Sequence, residues 1–162
     1  MNTLGFENDT RISKAEIAQT QLVEAIHSFL AGKFLCAITL AGASEEIFAR
    51  LVNQRGEISV VEEPLKAISV VEESFKKIQV IRKKSGLSVM SGKPKNEVFN
   101  EWNSARNTLK HHSKTDDEVV TINLFDEAYW MIKRALANAD KIEISISNRL
   151  DFENWIIINI NL

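Results

Sequence analysis

The chain has 162 residues, 44% hydrophobic and 26% charged, with 20 Lys and Arg against 22 Asp and Glu for a formal charge of −2. That length suits a single helical domain, residues 1–162, with a sizeable core, and the charge balance excludes a polycation that coats nucleic acid over its whole surface. One cysteine cannot staple a fold, no leader-type apolar core opens the chain, and no run approaches the roughly 18 apolar residues of a membrane span, so we expect a cytoplasmic protein with no membrane partner.

In chain order, residues 1–11 read as a loose lead-in. Ser13 is a helix cap, and Glu16 three residues on completes a capping box. Leu22, Val23, Ile26, Phe29 and Leu30 mark one apolar face of a first helix that ends at Gly32, with His27 at the border of that face as a structural residue. A second helix over residues 34–54 is rich in small residues (Ala37, Ala41, Gly42, Ala43), which allow close backbone approach, and Gly56 stops it. Its Cys36 reads as a small core side chain. Its Glu45 and Glu46 read either as the polar edge of the helix or, for Glu45, as a group that reaches an arginine farther along the chain.

Residues 58–77 hold a tandem repeat, ISVVEEPLKA then ISVVEESFKK. Ten residues turn a helix by about 1000°, about 80° short of whole turns, so the two copies do not present one face of a continuous helix. A third helix is expected over residues 64–84, with Pro64 in its first turn, acids at its start and Arg82, Lys83 and Lys84 at its end. A loop over residues 85–95 leads to a fourth helix, whose core face carries Val98, Phe99, Trp102, Ala105 and Leu109 and which frays near His112. A polar turn at residues 114–120 precedes a fifth helix over residues 123–139, with Leu124, Ala128, Ile132 and Ala135 inward. The tail, residues 142–162, is expected to dock. Ile142, Ile144 and Ile146 alternate with polar residues, as do Ile158, Ile160 and Leu162, which favours strands, as a small hairpin or as extended segments laid on the bundle; a short helix over Phe152 and Trp155 is the alternative.

The fourth helix carries the residues least explained by packing: Arg106, Asn107, Lys110, His111 and His112. On a helix Arg106 and His111 are about 140° apart, so they do not share a face. His111 stacks instead with Asn107 and Asn103, and Arg106 lines up with Asn103 and Lys110. The result is a broad polar face opposite Trp102 and Leu109. Local unwinding, or a second copy of the helix from a partner subunit, would bring Arg and His onto one phosphate.

An Arg, a following polar residue and a His at this spacing (Arg106, Asn107, His111) resemble the signature of the HEPN superfamily, an all-helical group associated with nucleotide and RNA binding. The stretches TLAGASEEIFARL (39–51) and ARNTLKH (105–111) are also similar to a family of small bacterial helical proteins. The resemblance implies a four- or five-helix bundle that often dimerises through the motif helix, and with the helices read above we expect an all-α, HEPN-like bundle of about five helices. In active members it implies RNA cleavage with no metal and no cofactor. Arg106 would hold the scissile phosphate and His111 would act as general base or general acid, with Asn107, His112, Lys110, Asn103 and Glu45 in support. The spacing leaves open whether His111 or His112 is the matching His.

The basic stretch before the motif, Lys76, Lys77, Arg82, Lys83, Lys84, Lys93 and Lys95, has no acids among it. It reads either as a guide for RNA phosphates or as a solvated helix end. Asp116, Asp117 and Glu118 fit no metal-ligand spacing, and Gly86 with Gly92-Lys93 fails as a phosphate loop, because Pro94 stands where a hydroxyl would hold the ion. The expected partners are a second copy of the chain, RNA, and a protein such as an antitoxin in a defence setting. The alternative class is a non-catalytic helical module that binds a protein.

Overall fold

The computed structural model describes residues 9–60, 62–63, 107–109 and 119–160. These are all-helical, with no strand among them. Helix α1 spans Lys14–Leu30, α2 Phe34–Gln54, α3 Leu124–Lys141 and α4 Arg149–Asn159. Residues 62–63 and 107–109 are helical too. The remainder of the two helices expected between α2 and α3, the loop over 85–95 and the second copy of the repeat lie outside the described residues.

The start of α1 is the expected capping box. The Glu16 N–H donates to Ser13 Oγ (3.1 Å), while the Glu16 carboxylate accepts the Ser13 N–H (2.8 Å) and hydroxyl (2.6 Å). The Ser13 hydroxyl first, and then its N–H, hold the Glu16 carboxyl below its ordinary pKa. A carboxylate with a lowered folded-state pKa stabilises the fold above its unfolded value, about 4.3, and that contribution fades as pH falls through the folded value. In an NMR titration, Glu16 is expected to protonate at lower pH in the wild type than in Ser13→Ala. Equal midpoints would refute the box as the cause.

Three helices end in the same way. At the end of α1, Gly32 N–H bonds Phe29 O and Lys33 N–H bonds Ser28 O; at the end of α2, Gly56 N–H bonds Asn53 O and Glu57 N–H bonds Val52 O. Both glycines have positive φ, +72° and +83°, as this paired-bond ending requires. At the end of α3 the bonds repeat, Glu143 to Asp140 and Ile144 to Ala139, but a glutamate holds the left-handed position at φ +59°. Left-handed backbone costs an L-residue roughly 1–2 kcal/mol. Glu143→Gly is therefore expected to stabilise the protein by about 1 kcal/mol, less than the strain relieved because glycine loses more chain entropy. A lowered Tm in a thermal melt would show that the Glu143 side chain contributes more than its backbone costs.

The core is shared by all four helices. Ala18, Leu22, Ala25, Ile26 and Phe29 of α1 meet Ala37, Ile38, Ala41, Phe48 and Val52 of α2; Ala128, Met131, Ile132, Ala135, Leu136 and Ala139 of α3 and Phe152 and Ile156 of α4 complete it. Helix α2 packs along both α1 and α3, and its small residues allow this. Gly42 and Ser44 are buried, and Ser44 Oγ donates to the Ala18 carbonyl of α1 at 2.7 Å. The expected packing reason for Gly42 fits this close approach.

The tail corrects the strand expectation. Ile142 and Ile146 are buried, as the alternation requires. Yet the backbone around them bonds to helices rather than to a strand. Ile142 O accepts from Arg55 Nη1 (3.1 Å), Ser145 O accepts from Gln19 Nε2 (2.7 Å), and Ile144 N–H closes the end of α3. Alternation over five residues describes a connector pinned between helix ends as well as it describes a strand. Residues 149–159 take the alternative, a helix that docks Phe152 and Ile156, one turn apart, with Trp155 packed at the edge. Its cap residue Asn148 makes no side-chain capping bond; its Nδ2 donates to Val23 O of α1 (2.9 Å). Arg149, in the first turn where a cation is disfavoured, is held by Asp140 and Glu153; these hydrogen bonds raise its pKa further, so it stays cationic.

Two smaller expectations also fail. Cys36 is exposed, because the core face of α2 passes through Ala37 and Ile38 and leaves Leu35, Cys36 and Thr39 outward. His27 is exposed rather than structural, with Nδ1 3.5 Å from Glu24 on the same outer face.

Candidate functional site

Of the motif residues, Asn107 lies within the described part of the chain. Residues 107–109 are helical, Asn107 and Thr108 are exposed, and Leu109 packs against the core. This is the expected division of a polar face from an apolar one, seen at three consecutive positions. Arg106, Asn103, Lys110, His111 and His112 lie outside the described residues, as do Lys76, Lys77, Arg82, Lys83, Lys84, Lys93 and Lys95.

Glu45 is buried, only 3% exposed, which overturns its reading as the polar edge of α2. A carboxylate is rarely buried without partners, because desolvation penalises its charge. Asn138 of α3, itself fully buried, places Nδ2 3.4 Å from Glu45 Oε1 and accepts the Val60 N–H on Oδ1 at 2.9 Å. The amide thus bridges α2, α3 and the segment that leaves α2. Glu46, its neighbour, faces outward and bridges to Arg50 one turn on (2.9 Å).

Around this bridge lies a ring of polar anchors. Asn53 Oδ1 accepts the Ser59 N–H (3.3 Å), and its Nδ2 donates to Glu62 (3.2 Å). Lys141 Nζ donates to the Ile58 carbonyl (2.8 Å) and pairs with the Glu63 carboxylate. Neither Asn53, Asn138 nor Lys141 was singled out from sequence. The available signal was Asn138, a polar residue on the stripe of Ile132, Ala135 and Ala139. The arrangement positions chain, and among the described residues no group of His, Cys, Asp and Glu is placed to hold a metal. Among them, too, no helix is long and apolar enough to cross a membrane.

No family model, curated protein or solved structure matches the chain.

Proposed function

We propose that this chain is an RNA-interacting helical protein of the HEPN kind, a metal-independent endoribonuclease in a defence or toxin–antitoxin setting, and that it acts as a homodimer. Arg106 binds the scissile phosphate. His111 takes the proton from the attacking 2′-hydroxyl or returns one to the departing 5′-oxygen, so that the chain breaks with a cyclic phosphate on one side and a hydroxyl on the other. His112, Lys110, Asn103 and Asn107 extend the polar face, and the basic stretch over residues 76–95 steers RNA towards it. The observation that supports this reading is the helical segment 107–109 inside the motif, with Asn107 turned to solvent and Leu109 to the core.

The test is incubation of the purified protein with RNA in EDTA. Wild type is expected to cleave, and Arg106→Ala and His111→Ala are each expected to lose at least about a hundredfold in rate with little change in Tm. Equal residual cleavage in all three would remove the catalytic assignment.

A second reading, a non-catalytic protein-interaction module, is favoured by a different observation. Leu150, Ile157 and Ile158 of α4 are 69–77% exposed on neighbouring positions of one helix, and Trp130 of α3 is also exposed. Absence of cleavage, together with loss of self-association in Ile157→Glu by sedimentation, would support this reading over the first.

A further inference from the structure

Residues 58–63 read Ile-Ser-Val-Val-Glu-Glu, and residues 68–73 read the same six again. The first copy is held between α2 and α3 by Asn53, Asn138 and Lys141. Their partners are the Ile58 carbonyl, the Ser59 and Val60 N–H groups, and the Glu62 and Glu63 carboxylates. Every one is a backbone atom or carboxylate that the second copy also possesses, at Ile68, Ser69, Val70, Glu72 and Glu73. The buried Ser59 has its equal in Ser69. The copies first differ at Pro64 and Ser74, beyond the last of these contacts.

We infer that the clamp of Asn53, Asn138 and Lys141 is a two-register device, holding residues 58–63 in the structure described and accepting residues 68–73 after a ten-residue slip. No contact of the clamp distinguishes the two. Two things outside the clamp distinguish them: the second register draws residues 68–73 out of the helix expected over residues 64–84, and it lengthens the linker from Gln54, where α2 ends. The linker has three residues (55–57) in the first register and thirteen (55–67) in the second. Closure probability falls roughly as the three-halves power of loop length, so the linker alone favours the first register by about ninefold. The slip also shortens the chain between the clamp and Asn107 from 43 residues (64–106) to 33 (74–106), altering the length of chain that leads into the motif.

Disulfide trapping in the full-length protein tests this, in a Cys36→Ser background that removes the native thiol. Lys141→Cys is combined with Glu63→Cys, with Glu73→Cys, or with Lys77→Cys as a control that neither register places at the clamp. The Lys141 change weakens both registers alike. The Glu73 pair is expected to crosslink at no more than about a tenth of the rate of the Glu63 pair, and above the Lys77 control. Adding Val60→Pro removes the N–H that Asn138 accepts and should make the Glu73 pair the faster of the two. Independently, Val60→Pro with Val70→Pro should destabilise by more than the sum of the single changes, since each copy covers for the other. Crosslinking of the Glu73 pair no faster than the control, an additive cycle, or unfolding of Val60→Pro alone would each overturn the inference, because the second copy would then have failed to replace the first.

Discussion

Phe29→Ala is expected to cost about 3–5 kcal/mol of folding stability, the range for removing a fully buried aromatic ring. Phe29 is 1% exposed and sits at the centre of a ring cluster. Its centroid lies 5.4 Å from Phe34, 5.4 Å from Phe125, 5.1 Å from Phe152 and 5.3 Å from Trp155, mostly edge to face. Those partners belong to α2, α3 and α4, so one truncation removes contacts at each interface α1 makes with the other described helices. Aromatic pairs in this geometry add to what burial alone provides, and the surrounding rings are too rigid to fill the space. Urea unfolding measures the loss. A cost under about 1 kcal/mol would mean that the cluster collapses around the cavity, and Phe29 would then not be the centre of the bundle.

The second large effect is expected at Asn138. Asn138→Leu removes the acceptor of the Val60 N–H and the donor facing Glu45 while keeping similar bulk. A backbone N–H left without its acceptor costs its desolvation, and for the Val60 N–H a cost of about 1–3 kcal/mol is expected. Asn138→Asp gives a sharper test. It keeps an acceptor for Val60 but sets a second carboxylate beside Glu45 in a buried site. Like charges raise each other's pKa, so the folded pair holds protons that the unfolded chain releases. The destabilisation should therefore grow as pH rises through the carboxylate range and shrink on acidification. A stability difference from wild type that does not change between about pH 4 and pH 7, across and above the ordinary carboxylate range, would show that the two side chains do not share one dry site.

Much of the fold is legible in the residues. The Ser13–Glu16 box and the glycines at positions 32 and 56 bound α1 and α2, because caps are local and depend on chemistry within one turn. The inward stripe of α3 follows from spacing, with Ala128, Ile132 and Ala135 buried. Local chemistry was less decisive in the tail. Ile142, Ile144 and Ile146 alternate, but alternation says only which side chains share a side, and whether a strand or a helix end lies alongside depends on the rest of the chain. The same limit applies to Glu143, where no local rule selects glutamate for a left-handed residue.

For the candidate site, the motif around Arg106 and His111 is legible as a pattern, and the described residues 107–109 agree with the facing it requires. The clamp was not legible. Asn53, Asn138 and Lys141 are separated by up to 88 positions, and each is unremarkable within its own helix. Sequence by itself determined the helical class, the limits of the first two helices, the apolar face of each and the presence of a repeat, because these are read from nearby positions in the chain. Only the tertiary structure decided that Glu45 is buried, that Cys36 and His27 face outward, and that one copy of the repeat lies in a polar clamp between α2 and α3. Those outcomes depend on which helix faces settle against each other, and that is a property of the packed whole.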